Sequence, residues 1–178
     1  MGAAPGFVFV SVETEDAIPP DHEFALVLGV LAFSMMKESK KSLELAEDAL
    51  KAHPDSPEVH YAVGTAHLRA GHPHPAARHL NIAVQKNPLV PSYLINLSIA
   101  LWGLDKKIQA ENTLEQALKL DPKNDYALNL KSRLHKDQKQ FGEALGSINK
   151  ALSLSPEDAD NHLIKGEFEL LQGNYETA

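Results

Sequence analysis

Four prolines, Pro54, Pro88, Pro122 and Pro156, stand 34 residues apart, and each closes the same phrase. AEDALKAHP, NIAVQKNP, LEQALKLDP and INKALSLSP all carry an apolar stripe at helical spacing into a polar residue and then the proline. Proline has no backbone N–H, and its ring clashes with the preceding turn, so it cannot continue a helix. One helix end is therefore written four times. A period of this length constrains the fold more than any average property of the chain, because it implies small units that must stack to bury their apolar faces.

Each block must also start a helix again. Pro57 and Pro91 sit where the first helical turn needs no N–H donor. Inside the blocks a second break recurs at matching positions, as Ala70-Gly71-His72-Pro73, Leu104-Asp105-Lys106, Gln138-Lys139-Gln140 and Gln172-Gly173-Asn174. Each block is thus a helical hairpin. The spacing predicts helices over 23–36, 39–52, 57–70, 73–86, 91–104, 107–120, 125–138, 141–154 and 159–172, with a turn following the last. No alternating strand pattern competes within this range.

The period and its small residues resemble the tetratricopeptide repeat family. Where that family has a small residue in the first helix, this chain has Gly64, Ser98, Ser132 and Gly166, and in the second helix Ala76, Ala110, Ala144 and Ala178. The larger interior residue of the second helix is Leu80, Leu114 and Ile148, followed by small Ala49, Ala83, Ala117 and Ala151. The resemblance implies an all-α, right-handed superhelical solenoid with repeats over 23–56, 57–90, 91–124 and 125–158 and a partial repeat over 159–178. Residues 1–22, with Pro5, Pro19 and Pro20, are expected to be an extended or partly disordered arm. The first repeat departs from the pattern, with Val30, Ser42 and Ala46 where small, small and large residues are expected, so its packing should be the least secure. Lys131 and Lys165 stand at a usual leucine position, where their aliphatic stems can cover apolar surface while the ammonium reaches water.

In such a solenoid the first helices line a concave groove. The groove positions of the family hold Tyr61, Thr65, Arg69, Ile95, Asn96, Ile99, Trp102, Tyr126, Asn129, Arg133 and Lys136 here. Aromatic and aliphatic groups supply burial, Asn can hold an extended backbone, and Arg can grip a carboxylate. Trp102 is the favoured anchor, against the alternative that it packs on the next repeat; Arg133 and Lys136 have the alternative of solvated charges. Two specialised grooves fit poorly. The carboxylate clamp finds Val27, Leu31 and Ala62 in its places, or Tyr61 and Thr65 when shifted by one repeat. The asparagine ladder of O-linked GlcNAc transferase finds Leu28, Ala62, Asn96, Leu130 and Ile164, a single rung. The expectation is a more apolar groove for a hydrophobic segment or amphipathic helix of a partner protein.

The remaining features narrow the function. A net charge of −7 opposes attraction to nucleic acid or anionic lipid. With no cysteine there is no thiolate metal site or nucleophile, and no phosphate-cradling loop, nucleophile elbow or HExxH pattern is present. His72, His74 and His79 cluster near one turn but lack the i,i+4 spacing of helical ligand pairs, so no metal or cofactor is expected. The chain is read as a non-enzymatic, cytoplasmic interaction scaffold; the other reading is a substrate-recruiting segment of a larger glycosyltransferase or sulfotransferase. FALVLGVLAFSMM, residues 24–36, is apolar nearly all round, so a cover is expected from Phe7, Val8, Phe9 and Val10, from an upstream repeat, or from self-association. Its length falls short of a membrane span.

Overall fold

The computed structural model describes residues 23–176, and all regular structure among them is helical. The elements are α1 (Glu23–Met35), α2 (Ser39–Ala52), α3 (Pro57–Arg69), α4 (Pro73–Lys86), α5 (Pro91–Gly103), α6 (Lys107–Leu120), α7 (Asp125–Asp137), α8 (Phe141–Leu154) and α9 (Ala159–Glu176). The first eight agree with the sequence reading to within a residue at either end. The expected N-terminal arm and Ala178 lie outside the described residues.

Three of the first-helix starts, those of α3, α7 and α9, share one device on the 34-residue register. Ser56 Oγ accepts from Val59 N at 3.1 Å, Asn124 Oδ1 from Ala127 N at 2.9 Å, and Asp158 Oδ1 from Asn161 N at 2.8 Å. Each satisfies an N–H that the helix itself leaves unpaired. Val90 occupies the same place before α5 and has no side-chain acceptor, but Pro91 follows it and removes one of the orphan donors.

The hairpin turns repeat as strictly. Lys37, Gly71, Asp105 and Lys139, again 34 apart, all take positive φ, at 61°, 77°, 58° and 60°. This left-handed residue folds the next N–H back onto the helix. Glu38 N reaches Phe33 O at 3.0 Å, His72 N reaches His67 O at 2.8 Å, Lys106 N reaches Leu101 O at 3.0 Å, and Gln140 N reaches His135 O at 2.9 Å. These bonds satisfy the last carbonyls and set the hairpin angle through the backbone alone. Only Gly71 adopts the turn without a Cβ penalty; in the other three a side chain tolerates it.

Gly173 is the fifth member of this series, yet the helix runs through it to Glu176, and the turn expected at 172–174 does not form. In the complete hairpins the turn is reinforced by the second helix packing back on the first. Among the described residues no helix packs back onto α9 from beyond it, so local helix propensity decides.

The core is a chain of overlapping clusters, not one centre. Within repeats α1 packs on α2, α3 on α4, α5 on α6 and α7 on α8, and between repeats α2 packs on α3, α4 on α5, α6 on α7 and α8 on α9. The result is an all-α solenoid. At each crossing the expected small residues are fully buried: Ala76, Ala83, Ser98, Ala110, Ala117, Ser132, Ala144 and Ala151. Gly64 shows how tight the approach is, since a Cβ there would stand 2.6 Å from Leu80 Cγ and 3.2 Å from Ala76 O. The first repeat solves the same problem with sizes exchanged. Val30 replaces the small residue and Ala46 the large one, and both are buried in one cluster with Leu26 and Ala49. The larger residue of the pair thus lies on α1 and the smaller on α2. Ser42 adds a hydrogen bond, donating to Val30 O at 2.9 Å, and Ser98 makes the converse bond in the third repeat, donating to Ala110 O at 2.8 Å. Lys131 has its stem largely covered, as expected, but its Nζ is paired with Glu115 Oε1 at 2.9 Å instead of ending free in water. α1 buries Leu26, Val30 and Ser34 on one side but exposes Phe24, Leu28 and Met35 on the other.

Gly64 and Gly166 hold the same repeat position but different surroundings, because no atom would lie within 4 Å of a Cβ at Gly166. Gly64→Ala is expected to lower stability by about 1–3 kcal/mol through overpacking. Gly166→Ala should raise it by up to about 1 kcal/mol through helix propensity. Urea unfolding midpoints of the two variants check this contrast; equal shifts would contradict the close approach at Gly64.

Candidate functional site

The first helices α1, α3, α5, α7 and α9 adjoin one another along one wall, and polar side chains stitch them together. The rings of Tyr61 and Tyr93 stack with centroids 4.8 Å apart. Asn96 Nδ2 donates to Thr65 Oγ1 at 2.9 Å, and Thr65 donates in turn to Tyr61 O at 2.8 Å. Trp102 Nε1 donates to Asp137 Oδ2 at 2.8 Å. Asn129 Nδ2 donates to Asn161 Oδ1, and Lys136 pairs with Glu167 while its Nζ lies 5.8 Å from the centre of the Phe168 ring.

This stitching divides the residues expected to face the groove. Ile95 is 5% exposed and packs with Leu94, Ala110 and Leu114, so the register turns it into the core and it offers no contact surface. Thr65, 8% exposed, is likewise interior, its hydroxyl engaged on both sides. Tyr61 and Asn96 are half-buried by the contacts just described, and Arg69 is exposed at the end of α3. Lys136 is held by Glu167. Ile99, Trp102, Tyr126, Asn129 and Arg133 come together, lining a cleft of about 330 Å³ between α5, α7 and the start of α9. Trp102 packs on the next repeat, against the cluster that includes Ala127, Leu130 and Leu134 and with its Nε1 on Asp137, and it also lines the cleft. Tyr126 is 58% exposed at the mouth.

Sequence reasoning did not find the other half of this lining, which is Asp125, Leu130, Asp158, Asp160 and Asn161. The floor of Ile99, Trp102 and Leu130 is apolar, but the rim is acidic. Asp125 accepts from Ser155 Oγ at 2.6 Å and from Tyr126 N at 2.7 Å. Arg133 turns its Nε to Asn129 Oδ1 at 3.0 Å. The available signal was the capping register, since Asp158 stands one period after Asn124 and two after Val90. A helix cap of one repeat becomes the rim of the cleft formed by its predecessors.

A family model for the tetratricopeptide repeat matches residues 37–89, 96–159 and 130–178, and the chain belongs to that family. No curated protein matches it in sequence. Solved structures agree in fold. PilW, a widely conserved type IV pilus biogenesis factor, superposes with a TM-score of 0.80 at 22% identity, over 89% of this chain and 74% of that one. PilF of Pseudomonas aeruginosa gives 0.76 at 17% identity, over 86% and 70% of the two chains. A MamA protein gives 0.71 at 17% identity, over 85% and 82%. Among the described residues no helix is long and apolar enough to cross a membrane.

The histidines form a second polar cluster, on the opposite contact of α3 with α4. His60 Nε2 lies 3.0 Å from Pro54 O, and its Nδ1 lies 3.0 Å from His79 Nδ1; His79 Nε2 lies 3.2 Å from Arg78. One proton arrangement satisfies all three bonds: Arg78 donates to His79, His79 to His60, and His60 to the carbonyl, with both imidazoles neutral. His67 stacks on His79 with centroids 6.0 Å apart. Among the described residues no three His, Asp or Glu side chains are arranged to hold a metal ion. Burial, reinforced by Arg78 and by His60 and His67, lowers His79 from 6.5 to about 4. Burial, then His72 and Arg78, also lowers His67. Elsewhere burial raises Glu111, but hydrogen bonds from Gln138 and His135 outweigh it and hold the carboxyl below its usual 4.5.

The unfolded chain binds protons at His67 and His79 near pH 6.5, where the folded chain resists them, so their contribution is complete above that pH and is lost as the pH falls, for His79 toward about 4. Glu111 acts in the same direction only below its ordinary range near 4.5. Thermal melting should therefore shift downward between about pH 6.5 and 5 in the native chain, and His79→Leu should flatten that slope. An unchanged slope in the variant would remove His79 from this account.

Proposed function

We propose that this chain is an interaction scaffold whose inner wall holds a segment of a partner protein, with Trp102 as the principal anchor. The observation that carries the reading is the cleft itself, where Ile99, Trp102, Tyr126, Asn129 and Arg133 converge from two successive repeats. The wall around it is fixed before any partner arrives, because Trp102 is tied to Asp137 and Asn129 to Asn161. A preformed apolar floor with polar groups at its edge suits a bound peptide or helix, since little conformational freedom is lost on the protein side. Binding energy at such surfaces concentrates in a few aromatic and Arg side chains, which Trp102, Tyr126 and Arg133 supply.

A photo-crosslinking residue at position 126 should trap a partner in cells, and Trp102→Ala should abolish the adduct. The same residue at position 108, on the exposed face of α6, should trap none. In purified form Trp102→Ala should weaken the trapped partner by about tenfold or more, as expected of a central aromatic anchor. Adducts that form equally at position 108, or that survive the Trp102 substitution, would place the partner elsewhere. Far-ultraviolet circular dichroism of the variant checks that the array remains folded.

A further inference from the structure

The cleft rim carries carboxylates that no ion pair among the described residues neutralises. Asp125, Asp158 and Asp160 line it, against the single guanidinium of Arg133 among the lining residues. Asp125 and Asp158 take hydrogen bonds from neutral donors, namely Ser155 Oγ, Tyr126 N and Asn161 N. The ion pairs among the described residues all employ other carboxylates. Arg133 directs its Nε to Asn129 rather than to this rim. Unneutralised carboxylates at the edge of a partly enclosed cleft attract a cation more strongly than scattered surface charges do. A partner carboxylate in the same place would face like charge, which costs affinity.

Beside this rim lies the apolar floor of Ile99, Trp102 and Leu130. The indole N–H of Trp102 is already given to Asp137, so the ring offers its apolar surface rather than a donor. Apolar floor and acidic edge together define an amphipathic ligand. Resting on the scaffold reading above, we infer that the cleft takes a partner segment in which a large apolar side chain stands within a few residues of Lys or Arg. The apolar group seats on Ile99, Trp102 and Leu130, and the cation engages Asp158 and Asp160. An extended chain advances about 3.3 Å per residue, so side chains close together in one segment can reach the floor and rim of a single cleft. The net charge of −7 favours encounter with a basic segment over the whole surface as well.

The test is selection of random twelve-residue displayed peptides on the full chain, with Trp102→Ala as the counter-selection. Peptides enriched on the native chain should carry Trp, Phe or Leu with Lys or Arg one to four residues away. A labelled synthetic copy of an enriched peptide should bind about tenfold more weakly to the double variant Asp158→Asn, Asp160→Asn, and with a shallower dependence on salt. Asn at position 158 retains an acceptor for the α9 start. If the double variant loses helicity, the exposed Asp160→Asn alone should still reduce the salt dependence. Enriched peptides without basic residues, or equal binding by the carboxamide variants, would overturn the charge assignment and leave the scaffold reading standing. Failure to enrich any peptide over Trp102→Ala would overturn the scaffold reading itself.

Discussion

The distance at which the two helices of a hairpin cross governs everything else in this molecule. Gly64 beneath Leu80 leaves no room for another carbon, and Ser98, Ser132 and their partner alanines are buried as completely. At such separations dispersion contacts are dense, and a change of one methylene is felt. The backbone turn then supplies the angle, through a left-handed residue and a folded-back N–H at each of four positions. Crossing distance and turn together make each hairpin a nearly rigid block. Stacking of blocks follows, because one apolar stripe remains on each until a neighbour covers it.

Much of this was legible in the residues. The proline period and the interior small residues specify hairpins, because each acts locally: proline stops a helix wherever it stands, and alanine admits a close neighbour. The turn at Gly173 failed for the same reason in reverse. Its local signal matches Gly71, but the other turns also depend on a second helix returning across the first, and none does so among the described residues. The two departures of the first repeat are opposite in size. Val30 is larger and Ala46 smaller than the pattern at their places, and only the structure shows both buried in one cluster.

The site was half legible. Family positions on a first helix point to the inner wall, yet they do not say which side chains the wall itself consumes. Ile95 and Thr65 are drawn inward, whereas Ile99, Trp102 and Tyr126 remain available. The difference lies in contacts between repeats, such as Asn96 to Thr65, that no single repeat encodes. The acidic rim was invisible for a related reason. Asp158 reads as a helix cap, and a residue with one sufficient explanation attracts no second one. It serves both ends because the start of one block borders the hollow left by the two before it.

The exchanged sizes in the first hairpin bear on how the array assembles. A chain built from similar units risks joining the wrong halves, a recurrent hazard of repeated architectures. Here a mistaken partnership of α1 with α4 would drive Val30 against Leu80, and one of α3 with α2 would set Gly64 opposite Ala46 and leave a void. The first unit is thereby keyed to itself, like a jigsaw piece with tab and socket reversed.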